Sequence, residues 1–113
     1  MNFIDLKKDF SRDGFFICKN IFDNVFITQL IDEINSSKGA IKYFDKSNNL
    51  RRIEKLFDKG NQLKNLNNKI SKILKNVFNE EFLIFKDKYN AKPAGGDGFF
   101  AHYDGIFHFI DPD

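Results

Sequence analysis

His102 and Asp104 lie two residues apart in the run from Lys86 to Phe109, and they are the side chains best suited to hold a metal. The run reads KDKYNAKPAGGDGFFAHYDGIFHF and contains both histidines of the 113-residue sequence. In an extended segment side chains alternate between faces. Phe100, His102 and Asp104 therefore share one face, and Phe99, Ala101 and Tyr103 the other. A neutral imidazole beside a carboxylate supplies two of the three ligands of a 2-His-1-carboxylate triad. Such a triad holds non-haem Fe(II) and leaves positions open for oxygen and a cosubstrate. Spacing alone is weak evidence, because Asp104-Gly105 also suits a surface turn that reverses the chain.

The flanks add an order that the pair lacks. A lysine-rich stretch (Phe85-Lys86-Asp87-Lys88-Tyr89-Asn90) is followed by Lys92-Pro93, then Gly95-Gly96-Asp97-Gly98, then His102-Tyr103-Asp104 and Phe107. In this order the stretch resembles the phytanoyl-CoA dioxygenase family, a branch of the iron- and 2-oxoglutarate-dependent oxygenases. The resemblance extends loosely back through Arg51-Arg52-Ile53-Glu54 to Asp13-Gly14-Phe15. It covers most of the chain but only the first part of the family's domain. It implies Fe(II) held by His102 and Asp104, with 2-oxoglutarate as cosubstrate. A carboxylate at position 104, rather than a small residue that would admit halide, implies hydroxylation.

The resemblance also places Lys88 at the strand position where the family often contacts 2-oxoglutarate. An ammonium bonds a carboxylate, and more strongly in a partly dry pocket. The alternative is a lysine on the solvent face, with Lys86 as the competitor at same-face spacing and Lys92 assigned to the loop. Tyr89 and Asn90 are further lining candidates. The glycines at 95, 96 and 98 permit backbone conformations closed to other residues. The phosphate-loop alternative lacks the GxxxxGK[ST] pattern. Phe99, Phe100, Tyr103 and Phe107 suit either a wall around the site or barrel packing, and His108, between phenylalanines, suits packing. The family's second histidine and its 2-oxoglutarate-binding arginine have no counterpart here, since no arginine follows Arg52. The chain is therefore expected to be an N-terminal fragment that is inactive alone.

Composition bounds the rest. With 42% hydrophobic and 30% charged residues the chain is globular, and its length allows one domain with a modest core. A net charge of +2 with interspersed signs argues against nucleic-acid binding. Fifteen phenylalanines and no tryptophan make phenylalanine the main aromatic core material. The single cysteine, Cys18, cannot form an internal disulfide and suits a reducing compartment and a packing role. No segment has the length of a membrane span or the form of a signal peptide, so a soluble cytoplasmic protein is expected.

Local patterns order the elements. Phe3, Leu6, Lys7 and Phe10 predict a short helix ending before Asp13-Gly14, and GFFICKNIF (14–22) reads as a strand. Asp23 or Asn24 can cap a helix carrying the stripe Ile27, Leu30, Ile31 and Ile34, with Gly39 at its C-terminal end. KYFDKSNNL is turn-forming, and LRRIEKLF suits a short strand or a helix start. Arg51-Arg52 suits an anion contact, a solvent-facing pair or an ion pair. Leu63, Leu66, Ile70, Ile73, Leu74, Val77 and Phe78 predict an amphipathic helix over 61–78 covering a sheet. After Asn79-Glu80-Glu81, FLIFKDKY reads as a strand.

The expectation is one partial domain over 1–113, helical over about 1–80, with site-bearing strands over about 82–110. The class is α+β, with N-terminal helices packed on the first strands of an incomplete double-stranded β-helix. The expected function is Fe(II)/2-oxoglutarate-dependent hydroxylation of a small organic substrate. The alternative is a non-catalytic remnant or interaction module. Self-association through exposed sheet edges is expected of a half-barrel.

Overall fold

The computed structural model describes residues 1–95 and 101. They form an α+β arrangement of three helices and a three-stranded antiparallel sheet: α1 (Phe3–Asp13), α2 (Asn24–Ser36), β1 (Ile41–Phe44), β2 (Leu50–Glu54), α3 (Asn61–Phe78) and β3 (Lys88–Asn90).

The helices lie close to where the sequence places them, and their ends are held by identifiable groups. Asn2 caps α1 by accepting from the Ile4 amide at 3.0 Å, and Gly14 closes it in the left-handed region at φ 79°. Asp23 caps α2 through the Phe26 amide at 2.7 Å. That helix ends at Ser36, where the Ser37 amide and hydroxyl both donate to the Ile34 carbonyl. Gly39, expected as the cap, is instead left-handed two residues beyond Ser37 and turns the chain toward β1. α3 spans the expected 61–78 and ends on left-handed Asn79, whose amide donates to Lys75.

The sheet runs in the order β1-β2-β3. The β1–β2 hairpin closes on Asp45, whose carboxylate accepts from the Ser47 and Asn49 amides at 2.9 and 2.8 Å. These bonds hold the Asp45 carboxyl below its usual pKa. The Asn49 amide is the main cause, and desolvation opposes it. β3 then adds to β2 with Arg52 opposite Asn90, Ile53 opposite Tyr89 and Glu54 opposite Lys88.

The core sits where one face of the sheet meets α2 and α3. Ile53 is fully buried, with Leu56 and Leu63, and Leu30, Ile34, Ala40 and Leu50 pack around them. The predicted α2 stripe is thus divided, since Leu30 and Ile34 reach the core while Ile27 and Ile31 stay exposed. Phenylalanines build a second cluster. Phe78 stands edge-on to Phe10 with ring centres 5.0 Å apart, and Phe16 and Phe82 lie 6.1 and 5.7 Å away. This cluster joins α1 to the C-terminal end of α3.

Two expected strands differ in the structure. GFFICKNIF forms no strand among the described residues. Phe16 and Cys18 are half-buried and Phe15 and Ile17 exposed, as in a strand, but no backbone among the described residues pairs with them. FLIFKDKY is a strand only from Lys88. The reason is Lys55, left-handed at φ 59°, which turns β2 away immediately after Glu54. The residues ahead of Lys88 therefore have no β2 partner. The Leu56 amide donates to the Asp87 carboxylate at 2.5 Å instead of to a strand backbone.

Candidate functional site

Strand alternation and the β2–β3 register place Tyr43, Arg52, Glu54, Lys88 and Asn90 on one face of the sheet, opposite the core face of Ile53 and Tyr89. Glu54 is the hub of this face, its side chain only 13% exposed. Its carboxylate lies 3.0 Å from Arg52 Nε and 3.5 Å from Lys86 Nζ, and accepts from the Tyr43 hydroxyl at 3.4 Å. The Arg52 guanidinium also stands 4.5 Å over the Tyr43 ring. Arg52 Nε and Glu54 Oε1 are both buried without a hydrogen-bond partner. Their contact is thus a charge pair whose N–H direction is off the line to oxygen.

Of the three readings of Arg51-Arg52, the ion pair holds for Arg52. This arrangement also distinguishes the two candidate lysines. Lys86 is committed to Glu54. Lys88, exposed on the same face, makes no side-chain hydrogen bond or ion pair among the described residues. Tyr89 lies on the core side, away from Lys88, while Asn90 shares the Lys88 face.

Beside this face a cleft of about 410 Å³ is lined by Glu54, Lys55, Phe57, Ile84 and Lys86, among others. Six of its nine lining residues are charged, and Phe57, Ile84 and Phe85 supply the apolar surface. Sequence reasoning missed Glu54 as the organising carboxylate. The alternation Arg52-Ile53-Glu54 was the available signal, since it puts both charges opposite a buried isoleucine.

His102 and Asp104, the expected metal ligands, lie outside the described residues, as do His108, Phe99, Phe100, Tyr103, Phe107 and the glycines at 96 and 98. Gly95 is left-handed at φ 79° at the start of the glycine loop. Among the described residues no group of three or more His, Cys, Asp or Glu side chains could hold a metal ion. Cys18 is a half-buried free thiol. No described helix is long and apolar enough to cross a membrane. Set against models of protein families, curated proteins and solved structures, the chain matches none.

Proposed function

We propose that this chain forms the N-terminal part of an Fe(II)/2-oxoglutarate-dependent dioxygenase domain of the phytanoyl-CoA dioxygenase type, acting as a hydroxylase on a small organic substrate. The observation that carries the reading is the ordered pattern KDKYNAKP, GGDG, HYD over residues 86–104. In the complete domain the antiparallel sheet would belong to a double-stranded β-helix, with the helices packed against it. The lone Cys18 suits the reducing cytoplasm.

The donor types fit the group. His102 supplies an imidazole and Asp104 a carboxylate, a pair suited to Fe(II), with the third ligand coming from a histidine beyond this sequence. Lys88 fits an anionic cosubstrate. It is the cation of its sheet face left unpaired among the described residues, so it holds a carboxylate without first giving up another partner. Asn90 shares that face and would be a further lining residue beside the anion. When bound, iron and 2-oxoglutarate supply oxidation of a C–H bond coupled to decarboxylation to succinate. The chain's own residues bind and orient.

The test is anaerobic Fe(II) titration of the 113-residue chain and of its His102→Ala and Asp104→Ala variants. Weak binding is expected, falling by at least about tenfold in either variant, because even second-shell losses cost about 10–100-fold. With two protein ligands and no anchoring arginine, the chain alone should form no succinate. In the coding sequence downstream, a histidine followed about ten residues later by arginine is expected, the spacing the family resemblance implies. Identical iron affinities in all three proteins would end this reading. A second reading, a non-catalytic interaction module, is favoured by one observation: Leu83 is 96% exposed in an apolar segment.

A further inference from the structure

The segment between α3 and β3 has a charge order not used by the proposed chemistry. It reads Glu80-Glu81-Phe82-Leu83-Ile84-Phe85-Lys86, acidic at one end, apolar in the middle and basic at the other. Leu83 is 96% exposed, Ile84 45% and Phe82 39%. The backbone groups of Phe82, Leu83 and Ile84 take part in no backbone hydrogen bond among the described residues. Phe82, Leu83 and Ile84, apolar and with backbone groups unpaired among the described residues, form a short template for strand addition.

We propose that this segment pairs with the same segment of a second copy, antiparallel about a two-fold axis at Leu83. The charge order selects this occupant. Parallel pairing would set Glu80 against Glu80. Antiparallel pairing about Leu83 sets Glu80 opposite Lys86 and Phe82 opposite Ile84, and the two-fold makes each contact twice. Once the segment is extended in the pair, Glu80, Phe82, Ile84 and Lys86 share one face by alternation, so the opposed side chains point the same way. Lys86 already pairs with Glu54 at 3.5 Å, and an ammonium has donors for two carboxylates. Glu81 falls opposite Phe85 in this register, and it is already paired with Lys75.

The experiment is sedimentation equilibrium of the 113-residue chain over a concentration series, with amide hydrogen exchange at low and high concentration. A monomer–dimer equilibrium is expected, with the Phe82 and Ile84 amides, which face the same edge and bond across the axis, protected only in the dimer. Leu83→Lys, which places two ammonium groups together on the axis, should abolish it. Glu80→Lys should weaken the dimer by about tenfold or more, since each attraction becomes a repulsion and is counted twice. Glu81→Lys should change it by less than about threefold. If Leu83→Lys does not fold by far-UV circular dichroism, the comparison of the two glutamate variants still decides. A monomer at the highest soluble concentration would overturn the proposal. So would a dimer with exposed Phe82 and Ile84 amides, a dimer indifferent to Leu83→Lys, or equal effects at Glu80 and Glu81.

Discussion

The N-terminus of α3 is held by a residue from another helix, and removing it should cost more than an ordinary surface change. Gly60, the residue before the helix, has no side chain to cap it. Glu33 of α2 does so instead, accepting from the Gln62 amide at 3.2 Å and the Leu63 amide at 2.7 Å. Leu63 is itself a core residue, so this bond fixes α3 against the β2 face. Loss of a side-chain cap costs about 0.5–2 kcal/mol, and hydrogen bonds to a charged group about 1.5–3 kcal/mol. Glu33 is half-buried, and Glu33→Ala should destabilise the fold by about 2 kcal/mol, the range where these values overlap. With a urea slope of about 1–2 kcal/mol/M, the unfolding midpoint should fall by about 1–2 M.

Gly60 makes the test sharper. Its φ of −168° is ordinary extended backbone, so a side chain there causes no backbone strain. A methyl group would, however, occupy the space of the Glu33 Cγ, Cδ and Oε1 atoms. Gly60→Ala should therefore act by expelling the cap, and cost about as much as Glu33→Ala. In the double variant the cap is lost only once. Its cost should stay near about 2 kcal/mol rather than about 4 kcal/mol, a coupling within the range seen for residues in contact. Urea unfolding of the four proteins, followed by circular dichroism at 222 nm (a standard helix wavelength), supplies the cycle. Additive costs, or a Glu33→Ala cost under about 0.5 kcal/mol, would refute the capping role.

Other consequences are as specific. Asp87→Ala removes the acceptor for the Leu56 amide, 31 residues away in sequence, and should destabilise by about 1–3 kcal/mol while speeding exchange of the Leu56 amide. Glu54→Ala leaves Arg52 and Lys86 without their shared partner and should loosen the β2–β3 ladder, read as faster exchange of the Ala91 amide that donates to Arg51. The Asp45 carboxyl, lowered by its bonds to Asn49 and Ser47, stabilises the hairpin fully above the ordinary value of 3.8. That contribution is lost as pH falls from 3.8 through the lower folded value, so wild type and Asp45→Ala should converge in stability in strong acid. In a protein extended to full activity, Lys88→Ala should raise the 2-oxoglutarate concentration needed and spare iron binding. A silent Lys88→Ala beside an impaired Lys86→Ala would move the contact to Lys86.

The sequence by itself determined the helices. The caps at Asn2 and Asp23, the glycine at position 14 and the stripe from Leu63 to Phe78 act within a few residues, and a helix satisfies its backbone within four. All three helices accordingly lie where local pattern places them. The strands were decided elsewhere. GFFICKNIF and FLIF have strand-forming residues, yet a strand's hydrogen bonds must be completed by another segment, and local pattern does not say whether one arrives. Left-handed Lys55, which carries no sequence signal for that conformation, ends the β2 edge and leaves Phe82–Ile84 without a ladder. For the candidate site, the sequence placed Lys88 near a strand and made Lys86 its rival. The register sets Lys88 opposite Glu54, and only the side-chain geometry shows that Lys86 is the one paired with it. The Glu33 cap on α3 and the Glu54 hub likewise join residues distant in the chain or across strands, and such contacts exist only after the elements have packed.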